Sequence, residues 1–151
     1  MSWATEGFSA IANPTNHRFN PDREGYRNTS LTGNLAHEVA GGHELGLNLF
    51  YTEARVHYDD RPTGDDFQDH RVSAYSVYSR NRLHADWESL LRLGASADDL
   101  VAVDGFPGTF RTDQNQLYWQ NNITTTAGLV TAGLERVEQK VTSSTAYDQT
   151  R

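Results

Sequence analysis

The stretch from Leu31 to Tyr58 reads LTGNLAHEVAGGHELGLNLFYTEARVHY. Leu31, Gly33, Leu35, His37 and Val39 alternate with Thr32, Asn34, Ala36 and Glu38. Leu45, Leu47, Leu49 and Tyr51 alternate in the same way with Gly46, Asn48, Phe50 and Thr52. A period of two over this length marks two strands, each with one apolar and one polar face. Between them the chain reverses at Ala40-Gly41-Gly42-His43, and Gly41-Gly42 supplies the positive φ angles of a short hairpin.

Composition bounds the setting of this hairpin. The chain has 151 residues, enough for one ordinary domain with a core if it is soluble. It is 36% hydrophobic and 22% charged, and has no apolar run of about 18 residues, so no transmembrane helix is expected. A membrane barrel stays open, because its strands are only about 10 residues long and half polar. The net charge of -7 argues against nucleic acid as a partner. The absence of cysteine excludes disulfides and thiolate metal sites. Met1-Ser2-Trp3 leads into no basic, apolar, small-residue pattern, so no signal peptide is expected in the chain itself.

Outward from the hairpin, Ser2 to Ala12 reads as the end of an earlier strand and Asn13 to Arg27 as a long loop rich in Asn, Pro, Arg and Gly. A long acidic loop follows the hairpin, with Asp59, Asp60, Asp65, Asp66 and Asp69. Arg71 to Arg82 is a third strand, then comes a short break at Leu83-His84-Ala85-Asp86 and a strand from Trp87. A loop is expected from Asp98 to Thr112, a strand from Gln114 to Thr124, a short break at Thr125-Thr126-Ala127-Gly128, and a last element from Leu129 to Val141. Two segments are ambiguous. Trp87, Leu90, Leu91 and Gly94, within 86–97, also fit a short amphipathic helix capped by Asp86. Val130, Leu134, Val137 and Val141, within 129–141, follow a helical spacing, and periodicity alone makes that segment a helix.

The connections run long, short, long, short through the chain. An all-β, antiparallel up-and-down meander of about six to seven strands, with every long loop on one edge, accounts for this. Outer-membrane barrels have this asymmetry. A soluble meander or β-sandwich also produces alternating strands. From the pattern alone the two stand level.

Several segments add a resemblance. They are Asn20-Pro21-Asp22-Arg23-Glu24-Gly25-Tyr26 with Asn28-Thr29-Ser30-Leu31, then Gly42-His43-Glu44-Leu45-Gly46 and Tyr75-Ser76-Val77-Tyr78-Ser79-Arg80-Asn81-Arg82-Leu83. Leu117-Tyr118-Trp119-Gln120-Asn121-Asn122, Ala132-Gly133-Leu134-Glu135 and Glu138-Gln139-Lys140-Val141 complete the set. In order and spacing they resemble the TonB-dependent outer-membrane transporters, most closely the cobalamin (vitamin B12) receptor branch. The resemblance implies a plugged barrel of about 22 strands. On it, residues 1–151 are a partial barrel domain near the barrel's beginning, a fragment with the plug, its TonB-contacting segment and most of the barrel absent. It implies the bacterial outer membrane as location, and cobalamin or a related corrinoid, TonB through the missing plug, and outer-membrane lipid as partners. A siderophore receptor of the same architecture is the near alternative, and a soluble β-sheet binding module the distant one.

The resemblance also implies calcium bound by aspartates of the early extracellular loops. Glu6, in Glu6-Gly7-Phe8, and Asp22 and Glu24, in the Asp-Arg-Glu-Gly-Tyr stretch, stand at matching positions, with Glu where Asp is common. Asp59, Asp60, Asp66 and Asp69 of the next loop are further candidates, because calcium takes six to eight hard oxygen ligands from flexible loops. The competing reading is a solvated acidic loop. Tyr26, Tyr58 and Phe106 lie in or beside long loops where they could touch a large planar ligand, although Tyr58 and Trp87 equally suit an interfacial aromatic girdle. No enzymatic role is expected. His37-Glu38 and His43-Glu44 each begin a zinc-type pair, but Gly41 and Leu47 stand where the second histidine belongs.

Overall fold

The computed structural model of the chain describes residues 1–9, 11–145 and 148–150, the side chains of Trp3, Glu6 and Asp148 excepted. Eight antiparallel strands form one sheet in chain order: β1 (Ser2–Glu6), β2 (Gly25–Ala40), β3 (His43–His57), β4 (Phe67–His84), β5 (Trp87–Val103), β6 (Gly108–Thr125), β7 (Gly128–Ser143) and β8 (Asp148–Thr150). The six middle strands are 15 to 18 residues long. Two-residue turns at 41–42, 85–86 and 126–127 mark one edge, and the segments 7–24, 58–66 and 104–107 the other. In the first turn Gly42 alone of the glycine pair takes a positive φ, of 81°.

Both ambiguous segments are strands. Val130 and Leu134 face one side of β7, opposite Ile123 and Trp119, while Val137 and Val141 face the other, opposite Gln116 and Thr112. A spacing of four keeps a face in a strand as well as in a helix, but the three-residue step from Leu134 to Val137 changes face in a strand, so the apparent helical stripe splits between two faces. The strands also run further than alternation of apolar residues indicates. The loop expected from Asp98 to Thr112 contracts to 104–107, because the ladder continues through charged pairs: Arg111 bridges Asp99 at 2.9 Å and Asp113 at 2.7 Å. β2 likewise begins at Gly25, inside the expected loop, and β4 at Phe67 rather than Arg71.

The ladders sort the side chains by face. One rung of the apolar face is Leu35, Leu47, Val77, Leu93 and Leu117, and the next is His37, Leu45, Ser79, Leu91, Trp119 and Leu134. The opposite face carries Asn34, Asn48, Ser76, Gly94 and Gln116 on one rung. There Asn34 Nδ2 donates to Asn48 Oδ1 (2.7 Å) and Asn48 Nδ2 to Ser76 Oγ (3.1 Å). Among the described residues no hydrophobic side chain is buried, and Leu35 is 68% exposed. The surface of 10472 Å² exceeds the roughly 7,700 Å² expected of a compact globule of this mass. Among the described residues no protein layer lies over the apolar face.

The apolar band crosses the sheet on a slope. Its upper border lies at Leu31 on β2, Tyr51 on β3 and Tyr75 on β4, but at Leu117 on β6 and Leu134 on β7. Beyond it the outward residues turn polar at Glu53, Ser73, Asn115 and Arg136, and on β5 at Asp99 after the small Ala95 and Ala97. Leu134 shares the rung of His37, six residues down β2 from Leu31 and five strands away. With about 3.3 Å per residue and about 4.8 Å between strands, that fall is a slope of roughly 40°.

Strands β3 and β4, joined by the long segment 58–66, interlock at Gly46, where the Tyr78 ring lies over the bare backbone. A Cβ on Gly46 would stand 2.2 Å from ring carbons of Tyr78, whose hydroxyl donates to Glu44 Oε1 at 2.9 Å. Gly46→Ala is therefore expected to destabilise the fold by about 1–3 kcal/mol by overpacking. Most of that loss should vanish on a Tyr78→Ala background, as read from urea-unfolding midpoints. Additive losses would mean that the ring does not occupy the glycine site.

Candidate functional site

The long-loop edge gathers the acidic residues. The segment 58–66 leaves β3 beside 7–24, and consecutive residues Tyr58, Asp59 and Asp60 reach to different neighbours. Asp59 Oδ2 accepts hydrogen bonds from Ser9 Oγ (2.9 Å) and the Ile11 N–H (2.8 Å). Asp60 pairs with Arg18 at 3.0 Å and accepts from the Gly105 N–H at 3.0 Å. Tyr58 donates to Asp104 Oδ2 at 2.5 Å. Three loops are thus joined through one tripeptide.

Asp22, Glu24 and Asp59 come together with one carboxylate oxygen of each inside a mutual 4.8 Å. Asp22 is exposed and is oriented by Asn20 Nδ2, which donates to its Oδ2 at 2.7 Å and to the Gly64 carbonyl at 3.1 Å. Asp59 is only 9% exposed, and its Oδ1 has no hydrogen-bond partner. The electrostatics match this crowding. Burial first, then contact with Asp59 and the charge of Asp22, push the Glu24 carboxyl up from 4.5 to about 7. Burial also works to raise Asp59, but contacts from Glu24, the Ile11 N–H and Ser9 outweigh it and hold that group below its ordinary value. Three carboxylates sharing one small volume suit a proton or a hard cation between them.

The other candidates separate from this trio. The side chain of Glu6 lies outside the described residues. Asp66 is buried at 4% exposure, where it accepts from the Asp60 and Arg61 N–H groups (3.0 and 2.7 Å) and forms an ion pair with Arg61. Those contacts overcome its burial and lower its pKa. Asp69 lies in β4 rather than in the loop, held by two 2.6 Å hydrogen bonds from Arg55. Tyr26 is in β2, opposite Val56. Burial and the bond to Asp104 raise the Tyr58 phenol, which belongs to the loop network. Phe106 stands 83% exposed in segment 104–107, its N–H bonded to Asp104 Oδ1 at 2.7 Å. Alternation and acidity do not signal Ser9, Ile11, Arg18 or Asn20, since all four act through contacts distant in sequence, Ile11 through its backbone.

Glu24 fixes a pH response. The folded chain holds its proton more tightly than the unfolded one, so this contribution is fully present below pH 4.5 and is lost as pH rises through about 7. Asp59 works in the opposite sense only at lower pH. In the presence of a chelator, thermal stability should fall between pH 4.5 and about 7, and Glu24→Gln should flatten that slope. An unchanged slope in the variant would assign it to another group. Compared with known proteins, the chain matches no protein-family model and no curated sequence, so the site stands on its geometry.

Proposed function

We propose that this chain is a length of wall from a bacterial outer-membrane TonB-dependent importer of cobalamin or a related corrinoid, carrying loops that bind calcium and touch the ligand. The observation that carries the reading is the uncovered apolar face and its slope of roughly 40°, which falls within the 35–45° tilt of strands in membrane barrels. Among the described residues no helix is long and apolar enough to cross a membrane, and in this reading the strands face the lipid. The polar face, with its Asn and Ser ladder, then borders the lumen. Leu31 to Ala40 of β2 and Gly128 to Gln139 of β7 have a free edge among the described residues. Those edges suit continuation into further strands of a larger barrel. Energy for transport would be delivered by TonB through a plug domain outside this chain.

At the loops, Asp22, Glu24 and Asp59 would hold the calcium. The unpartnered Asp59 Oδ1 and the proton-retaining Glu24 both fit an ion, since a divalent charge satisfies the first and displaces the proton of the second. Calcium binding should release protons at pH 6, with affinity rising toward pH 7, and Asp59→Asn should weaken it. Titration calorimetry in buffers of different ionisation heat checks both.

The architecture has its own test. The complete gene should encode a plug upstream and about 15 further alternating strands downstream, the remainder of a roughly 22-stranded barrel. A gene without them ends the importer reading. Cobalamin binding to the complete protein, strengthened by calcium, separates the corrinoid reading from a siderophore receptor.

A further inference from the structure

Among the described residues only four are buried, all of them polar. Asp59 and Asp66 lie in the loops, whereas Ser89 and Asn121, each 8% exposed, lie on the apolar face of the sheet. They oppose each other directly across β5 and β6. Trp119, next to the upper border of the band on β6, donates its indole N–H to Ser89 Oγ at 3.1 Å. Trp87, the first residue of β5 after the short turn, donates to Asn121 Oδ1 at 3.0 Å. The two indoles reach the polar pair from opposite sides along the strands, one bonding each member. His43 and Asn81 lie on the same rung, nearer the lower border of the sloping band. Their side chains bond each other (3.0 Å), Asn81 also donates to Ser79 (2.9 Å), and among the described residues no indole donates to either.

We infer that Trp87 and Trp119 form a lid that closes Ser89 and Asn121 from lipid hydrocarbon, so that the bilayer meets a continuous apolar surface over β5 and β6. The inference rests on the membrane reading given above. In water, a serine and an asparagine on a sheet face need no cover, because solvent satisfies them. In hydrocarbon nothing else donates, and each polar group must find its partner within the protein. A tryptophan meets both needs, since its ring supplies apolar area and its single N–H the bond. The burial follows polarity rather than size. Leu91, adjacent to both residues of the pair, is 40% exposed while Ser89 is 8% exposed.

The test uses the complete protein folded into phosphatidylcholine vesicles. Trp119→Phe keeps a ring but removes the donor, and should lower the folding equilibrium constant about fivefold to tenfold, the size of one neutral hydrogen bond. On a Ser89→Ala background the same exchange should cost less than about twofold. Trp87→Phe should behave alike with Asn121→Leu. Equal losses on both backgrounds overturn the lid and leave the membrane reading intact, because the indoles would then act through area alone. A second measurement separates the two readings. Acyl-chain bromines should quench the fluorescence lost in the Trp87→Phe and Trp119→Phe variants, and aqueous iodide should not. The reverse pattern overturns both the lid and the membrane reading.

Discussion

The constraint behind this structure is an apolar sheet face that the chain does not cover. Six long strands project leucine, valine, tyrosine and tryptophan to one side, and the described residues contain no second layer to meet them. Apolar area of this extent in water opposes folding rather than driving it, so the environment has to supply the missing layer. The remaining features follow from that requirement. The outward side chains turn charged where the band ends, with Glu53 facing Arg71 at 3.8 Å and Arg111 joining Asp99 to Asp113. The polar pair within the band is roofed, and the turns at its lower edge are held to two residues.

The long-loop edge is built on a different principle. It has no apolar core, and its order comes from carboxylates that reach across loops to hydroxyls, guanidinium groups and backbone N–H groups. Asp60 ties Arg18 to Gly105, Tyr58 ties its own loop to Asp104, and Asp59 ties it to Ser9 and Ile11. Such a network responds to protons and cations, because Asp22, Glu24 and Asp59 crowd three carboxylates into one small volume. The unpartnered Asp59 Oδ1 and the raised Glu24 are two signs of one local excess of negative charge. On the membrane reading the sheet is stabilised by lipid covering one face and the loops by ionic contacts, so different changes of condition should loosen each.

Where alternation was regular, the sequence was legible. The hairpin from Leu31 follows from a period of two and from glycine, and the short breaks read before Trp87 and Leu129 contain the two-residue turns 85–86 and 126–127. It failed where the polar face and the charged ends of strands carried the ladder. Asp98 to Thr112 read as loop because aspartate and arginine are rare in strands, yet their cross-strand pairs extend β5 and β6. Asp69 read as a loop acid for the same reason, and is a strand residue held by Arg55. The valines of β7 fitted a helix because four-residue spacing serves both structures. At the site, acidity marked Asp22, Glu24 and Asp59, but their convergence depends on loops folding together across more than thirty residues of sequence. No local pattern encodes that meeting, nor does one distinguish it from Asp66, which is neutralised by its own Arg61.

A soluble β-sandwich would solve the same hydrophobic problem by folding a second sheet onto the first. That solution requires strands in two layers, with leucines of one sheet packed against those of the other. Here all eight strands lie in one sheet and neighbour each other in sequence order, so no strand is spared to form the opposing layer. A partner protein covering the face would have to match a band inclined by roughly 40° to the perpendicular of the strands, which is the strand tilt of a barrel wall in a bilayer. It would also have to tolerate a buried serine and asparagine capped by indoles instead of contacted by its own polar groups. Hydrocarbon meets both conditions without any specific design. It takes whatever inclination the strands adopt, and it offers nothing to bond with, which leaves the tryptophans as the donors.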